Sequence, residues 1–197
     1  EIWESSFEPI LVGSWCSIIA PFHKNVPQTE YQIIIEPKMS FGTGHHQTTY
    51  MMIEAIKEIK LEGKSVLDMG SGTGVLAVLA KKMKASFVEA IDIQEWAVQN
   101  CIENSKQNNV SFNVKLGGKE VISNIKFDII LANINLNILL DQLDVYSKKI
   151  REGGALLLSG FLSINEDVIT EAAIKIGFSF KKKYIKDNWL CLVFSKK

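Results

Sequence analysis

The sequence predicts an α/β fold in which a mostly parallel sheet is covered on both faces by helices and closes with an antiparallel hairpin. Three observations predict it. From residue 65 onward, short apolar runs alternate with amphipathic stretches, the pattern of parallel strands joined by helical crossovers. The run SVLDMGSGTG, Ser65 to Gly74, turns a buried strand into a helix through glycine. The last two apolar runs, FSFKKKYIKD and NWLCLVFSK, follow each other directly and read as a hairpin.

In chain order, FEPILV, WCSIIAPF and YQIIIEP are rich in β-branched and aromatic residues. Residues 1–38 therefore read as an extended lead-in or small antiparallel appendage, and residues 39–197 as the main unit. SFGTGHHQTT follows, with two glycines flanking Thr43 and then His45 and His46. A helix is predicted from TTYMMIEAIKEIK, with Met52, Ile53, Ile56 and Ile59 on its buried stripe. Thr48 stands where that helix begins and serves equally as its N-cap or as a ligand contact. Two adjacent histidines, with only His23 elsewhere, do not have the spacing of a metal site.

In the glycine turn, Asp68, Gly70, Gly72 and Gly74 fall at alternate positions. Glycine adopts positive φ without a Cβ clash, and its bare backbone exposes the N–H groups at the start of the new helix, which favours a negatively charged group there. Dinucleotide-binding proteins use a similar turn with slightly different spacing. The next strand, FVEAIDI, ends at Asp92, about 20 residues beyond the glycines, where a carboxylate can accept hydrogen bonds from ribose hydroxyls. Asp92 also suits an ordinary helix N-cap. A helix to about Asn108, the strand VSFNVKL and the loop Leu116-Gly117-Gly118 come next, and that loop can border an adenine ring. KFDIILANI brings Asn133 to a strand's carboxyl end, where its amide combines an acceptor and a donor suited to an amine. Its alternative duty is to cap the following helix, for which Asn135 competes. A helix to about Lys149, the strand GGALLLSGF, the helix INEDVITEAAIKI and the hairpin complete the chain. Asp68, the glycines, Asp92 and Asn133 all fall at carboxyl strand ends and so converge on one cleft.

Lysine plus arginine and aspartate plus glutamate number 22 each, so net charge points to neither nucleic acid nor an acidic membrane surface. Cys16, Cys101 and Cys191 lack paired spacing, which fits a reducing compartment, the cytoplasm. The run IILANINLNILL is broken by Asn133, Asn135 and Asn137 and is too short to span a bilayer. A soluble monomer is expected, because no long apolar stripe is left over once the helices cover the sheet.

Taken together, DMGSGTG, AIDI and LANI resemble the Rossmann-like class I methyltransferases that use S-adenosyl-L-methionine, whose sheet is mostly parallel and seven-stranded. The longer combination of FGTGHHQTT, VLDMGSGTG, ANINLNILL, LLLSGF and NWLCLVF resembles the ribosomal protein L11 methyltransferase family across nearly the whole chain. The resemblance implies methyl transfer to lysine side chains and the N-terminal amine of a large-subunit ribosomal protein, with S-adenosyl-L-homocysteine as product. It implies cofactor contacts at Thr49, Gly70, Asp92 and Asn133, joined by Asp68, Gly72 and Gly74 of the turn. Phe41, Gly42 and Thr43 match the loop that folds over the methyl donor. The family carries a small upstream domain that recognises the substrate, and this chain is read as the catalytic domain without it. Where the family usually has threonine and proline this chain has His45 and Gln47, and Ser71 stands where a cysteine is frequent. In this reading Asn133 aims the substrate amine, and His45 or His46 accepts its proton. Three other functions fit the same residues: methylation of another protein or a nucleobase amine, nicotinamide-dependent oxidoreduction, and non-catalytic nucleoside binding. The absence of a later glycine after Gly74 disfavours the second.

Overall fold

Strands covered on both faces are buried along nearly their whole length and mostly apolar, and the central strands follow that rule. Ser65–Met69 (β4) is buried at every position, and Phe127–Asn133 (β7) at all but Asp128 and Asn133. The structure is a computed structural model that describes residues 8–36 and 45–197, with the side chains of His45 and His46 outside that description.

Around these two strands stand Phe87–Asp92 (β5), Asn113–Leu116 (β6), Ile150–Leu162 (β8), Phe178–Lys186 (β9) and Trp189–Lys196 (β10). The order is β6-β5-β4-β7-β8-β10-β9, a seven-stranded sheet. Pairs from β6 through β8 are parallel, and β10 pairs antiparallel with both β8 and β9. This is the expected mostly parallel sheet with its closing hairpin. Asp187 and Asn188 at the hairpin tip both have positive φ, 49° and 66°, which matches the twist of a tight two-residue turn.

The helices are His45–Lys57 (α1), Val75–Lys82 (α2), Glu95–Gln107 (α3), Leu136–Lys149 (α4) and Glu166–Lys175 (α5). One apolar cluster joins Ile53, Val66, Val78 and Cys101, so α1, α2 and α3 cover one face of the sheet. A second joins Leu67, Ile130, Leu139, Tyr146 and Ile169 and places α4 and α5 on the other. Strand order reverses at β4, with β5 and β6 to one side and β7 to the other. In such a sheet, ligands bind at that switch point, beyond the carboxyl ends of the strands. No helix among the described residues is long and apolar enough to cross a membrane.

Two expectations are corrected. The lead-in forms Ile10–Val12 (β1), Cys16–Ile19 (β2) and Tyr31–Ile34 (β3), but only β1 and β2 are antiparallel; β3 runs parallel to β2. The connection over residues 20–30, with Pro21 and Pro27, is long enough to carry the chain back before it pairs, where a hairpin needs a tight turn. Helix α1 begins at His45, so Thr48 lies inside its first turns, buried, and does not cap it. His45, His46 and Gln47 are not β-branched and do not halt a helix that the apolar stripe only later marks. Asn135 caps α4, its Oδ1 accepting from Ile138 N at 3.1 Å, which releases Asn133 from that duty.

Candidate active site

The turn after β4 keeps Gly70, Gly72 and Gly74 at φ 69°, 53° and 79°, conformations that are strained for any residue with a Cβ. Gly70 N and Ser71 N donate to Ile91 O at 2.8 and 3.0 Å. Gly72 N donates to Asp92 Oδ2 at 2.9 Å, and Gln94 N to Asp92 Oδ1 at 2.9 Å. Asp92 thus ties the turn to the start of α3, while each of its oxygens keeps a second lone pair for a ligand hydroxyl. Asp68 accepts from Ala77 N at 3.1 Å and holds the first turn of α2. Burial pushes the Asp68 carboxyl up to about 7; the Ala77 N–H opposes the rise and the nearby Asp92 carboxylate adds to it.

This geometry revises the idea that the turn presents its N–H groups to an anion. Those of Gly70, Ser71, Gly72 and Gly74 already have protein acceptors, and the Asp68 carboxylate caps the helix from within. Gly74 serves packing: a Cβ there would lie 2.4 Å from Cys101 Sγ on α3, and the residue does not line the cavity. At Gly72 a Cβ would point into open space.

A cavity of about 660 Å³ opens at the switch point, within the usual size of small-molecule sites. Thr48 and Thr49 of α1, Asp68, Gly70, Gly72, Asp92 and Asn133 all line it. Asn133 Nδ2 makes a long hydrogen bond, 3.5 Å, to Thr49 Oγ1. Its Oδ1 is buried and has no hydrogen-bond partner among the described residues, the state expected of an acceptor reserved for a ligand. Two carboxylates and no lysine, arginine or histidine face the cavity among the described residues. Its field therefore favours a cation over a phosphate.

Of the residues singled out from sequence, Thr49, Asp68, Gly70, Gly72, Asp92 and Asn133 meet here. Phe41, Gly42 and Thr43, and the side chains of His45 and His46, lie outside the described residues. Gln142, Gly160 and Trp189 also line the cavity, and nothing in the sequence sets them apart from ordinary helix and strand residues. Gly160, at φ 96°, lets β8 pass the backbone after β7 so closely that a Cβ would sit 2.4 Å from Ile134 O. No group of three or more His, Cys, Asp or Glu among the described residues is placed to hold a metal.

The sequence model of the family described as ribosomal protein L11 methyltransferase (PrmA) matches residues 1–197. The chain belongs to that family. Among curated ribosomal protein L11 methyltransferases, that of Porphyromonas gingivalis is 42% identical over 198 residues, covering 99% of this chain and 68% of the relative. That of Phocaeicola vulgatus is 44% identical over 200 residues, 100% of this chain and 71% of the relative. The crystal structure of the ribosomal protein L11 methylase from Lactobacillus delbrueckii subsp. bulgaricus superimposes with a TM-score of 0.87 at 27% identity, covering 97% of this chain and 100% of that one. Beyond the ribosomal protein L11 methyltransferases the fold extends to a 16S rRNA methyltransferase of T. thermophilus solved with AdoMet and guanosine. That match has a TM-score of 0.67 at 22% identity, over 81% of this chain and 45% of that one.

Proposed function

We infer that this chain binds S-adenosyl-L-methionine in the cavity at the switch point and methylates amines of a large-subunit ribosomal protein, its lysine side chains and N-terminal amine. The observation that carries the reading is the pairing of an acidic cavity with a buried carbonyl, Asn133 Oδ1, that has no partner among the described residues. A nucleoside sulfonium fits this donor set: Asp92 has lone pairs for the ribose hydroxyls, Asp68 and Asp92 favour positive charge, and Gly72 leaves room for close approach. A dinucleotide fits poorly, since its pyrophosphate would face the acidic Asp68 and Asp92 and, among the described residues, no basic side chain. When bound, S-adenosyl-L-methionine supplies an electrophilic methyl group and leaves as S-adenosyl-L-homocysteine.

The protein's part is to hold and free the amine. Asn133 Oδ1 accepts one N–H of the incoming amine, which turns the nitrogen lone pair toward the methyl group. Thr49 steadies the other end of the Asn133 amide. For a lysine of ordinary pKa, about 10.4, reaching the neutral form at pH 7 costs about 4.6 kcal/mol, against about 1 kcal/mol for an α-amine. Desolvation beside a cation lowers that barrier, and His45 or His46, at the start of α1, takes the released proton directly or through water. The enzyme works in the cytoplasm as a monomer, on protein and not on nucleic acid.

The test is transfer of a radiolabelled methyl group from S-adenosyl-L-methionine to purified ribosomal protein L11, with S-adenosyl-L-homocysteine affinity measured in parallel by calorimetry. Asn133→Ala is expected to lower kcat by about 100-fold or more while product affinity falls less than about ten-fold. Label that never enters the ribosomal protein, or an Asn133→Ala enzyme with the wild-type rate, overturns the reading.

A further inference from the structure

Part of the cavity wall comes from the loop after β6 and from α4. Gly117 lies on the loop after β6, and Ile138 and Gln142 stand one turn apart on α4. Lys119 holds loop and helix together, its Nζ 2.6 Å from Asp141 Oδ2 and 3.3 Å from Asp141 O. Gln142, only 7% exposed, is a polar side chain on a helix face otherwise built from Leu139, Leu143 and Tyr146. The buried Tyr146 hydroxyl donates to Gln142 Oε1. That bond fixes the rotation of the amide: the carbonyl faces Tyr146 and the NH2 group faces away from it. Nε2, with two N–H donors, makes no hydrogen bond to another described residue, and Gln142 lines the cavity.

We propose that Gln142 reads the purine of the nucleoside ligand, donating an N–H from Nε2 to ring N1 while Tyr146 holds the amide against flipping. The inference rests on the nucleoside reading of the site given above. Gly117 adjoins Asp92, its N donating to Asp92 O at 2.9 Å, and in this proposal the base of a ribose held at Asp92 lies against Gly117 and Gln142, with N1 on the edge that meets Gln142. In adenine that nitrogen is an acceptor; in hypoxanthine it bears a hydrogen. A fixed donor facing it selects adenosine and leaves inosine with two donors opposed. Were the amide free to turn, its carbonyl would serve inosine as well, so selectivity depends on Tyr146 as a positioning residue.

Calorimetry with S-adenosyl-L-homocysteine and S-inosyl-L-homocysteine tests the assignment on the intact chain. The wild type is expected to prefer the adenosyl compound by about ten-fold or more. Gln142→Leu should weaken that compound by about ten-fold and leave the inosyl compound unchanged or tighter, bringing the preference close to one. Tyr146→Phe, which keeps the amide but removes its anchor, should narrow the preference chiefly by improving the inosyl compound. Equal weakening of both ligands in Gln142→Leu assigns the residue to packing alone and overturns the proposal; a full wild-type preference in Tyr146→Phe overturns it even if Gln142→Leu fails to fold. Normal binding of both compounds without preference sinks the purine assignment only, whereas a wild type that binds neither sinks the nucleoside reading as well.

Discussion

Asp68 shows how one residue joins folding to ligand chemistry. Its carboxyl is 2% exposed, accepts from Ala77 N and lies near a second carboxylate, Asp92. Burial raises its pKa from 3.8 to about 7. A group whose folded pKa lies above its unfolded one adds stability that is complete below the unfolded value and is lost as pH rises through the folded value. For Asp68 that window runs from about 4 to about 7, because above it a buried carboxylate stands beside another one. Asp68→Asn keeps an oxygen for the Ala77 N–H and carries no charge at any pH. Urea unfolding of the ligand-free protein at pH 5 and pH 8 should show a wild type that loses a few kcal/mol over the interval, and a variant whose loss is clearly smaller. Identical slopes for the two proteins would remove Asp68 from the pH response.

At the scale of elements, the glycine turn sets how closely α2 can approach α3. A Cβ on Gly74 would lie 2.4 Å from Cys101 Sγ but 3.3 Å from Cys101 Cβ. Gly74→Ala should therefore cost about 2 to 4 kcal/mol, partly from the clash and partly from its φ of 79°. Adding Cys101→Ala should recover the clash and leave the backbone strain. A double-mutant cycle read by thermal unfolding checks this, and strictly additive effects would show that the two residues do not meet. The same turn marks what the sequence could tell. Strands, helices and the convergence of Gly70, Gly72, Asp92 and Asn133 were legible because each is a local signal: an apolar run, a glycine spacing, an acid at a strand end. The separate duty of Gly74 was not, since a packing glycine and a ligand-facing one look alike until the facing helix is known. Gln142 and Trp189 escaped for a related reason. Their polar or aromatic character resembles ordinary helix and strand composition, and only tertiary structure brings them to the cavity. The parallel course of β3 was hidden too, because strand direction depends on where a connection leads.

At the scale of the molecule, the lead-in sheet and the site are parts of one hydrogen-bonded unit. Asn100 and Asn104 of α3, and Asn108 just past its end, recur every fourth residue and so share one face. Asn108 pairs with β3 as a strand would, Oδ1 accepting from Ile34 N at 2.9 Å and Nδ2 donating to Ile34 O at 2.6 Å. Asn104 is fully buried and faces both ways: its Oδ1 accepts from Glu36 N at 2.9 Å, and its Nδ2 donates to Thr73 O, inside the glycine turn, at 2.9 Å. One side chain therefore bridges the segment after β3 and the turn that supports Asp92. Asn104→Ala strands a backbone donor at one end and a backbone acceptor at the other, for a loss of about 2 to 4 kcal/mol. Because Ile18, Ile33 and Ile35 share a core with Ile53, Val78 and Leu79, unfolding should stay a single transition in the variant. Hydrogen exchange should then quicken at Glu36 and around Thr73 together, with affinity for S-adenosyl-L-homocysteine falling in step. Faster exchange confined to α3, with the turn and the ligand unaffected, would mean that the small sheet and the site are held independently.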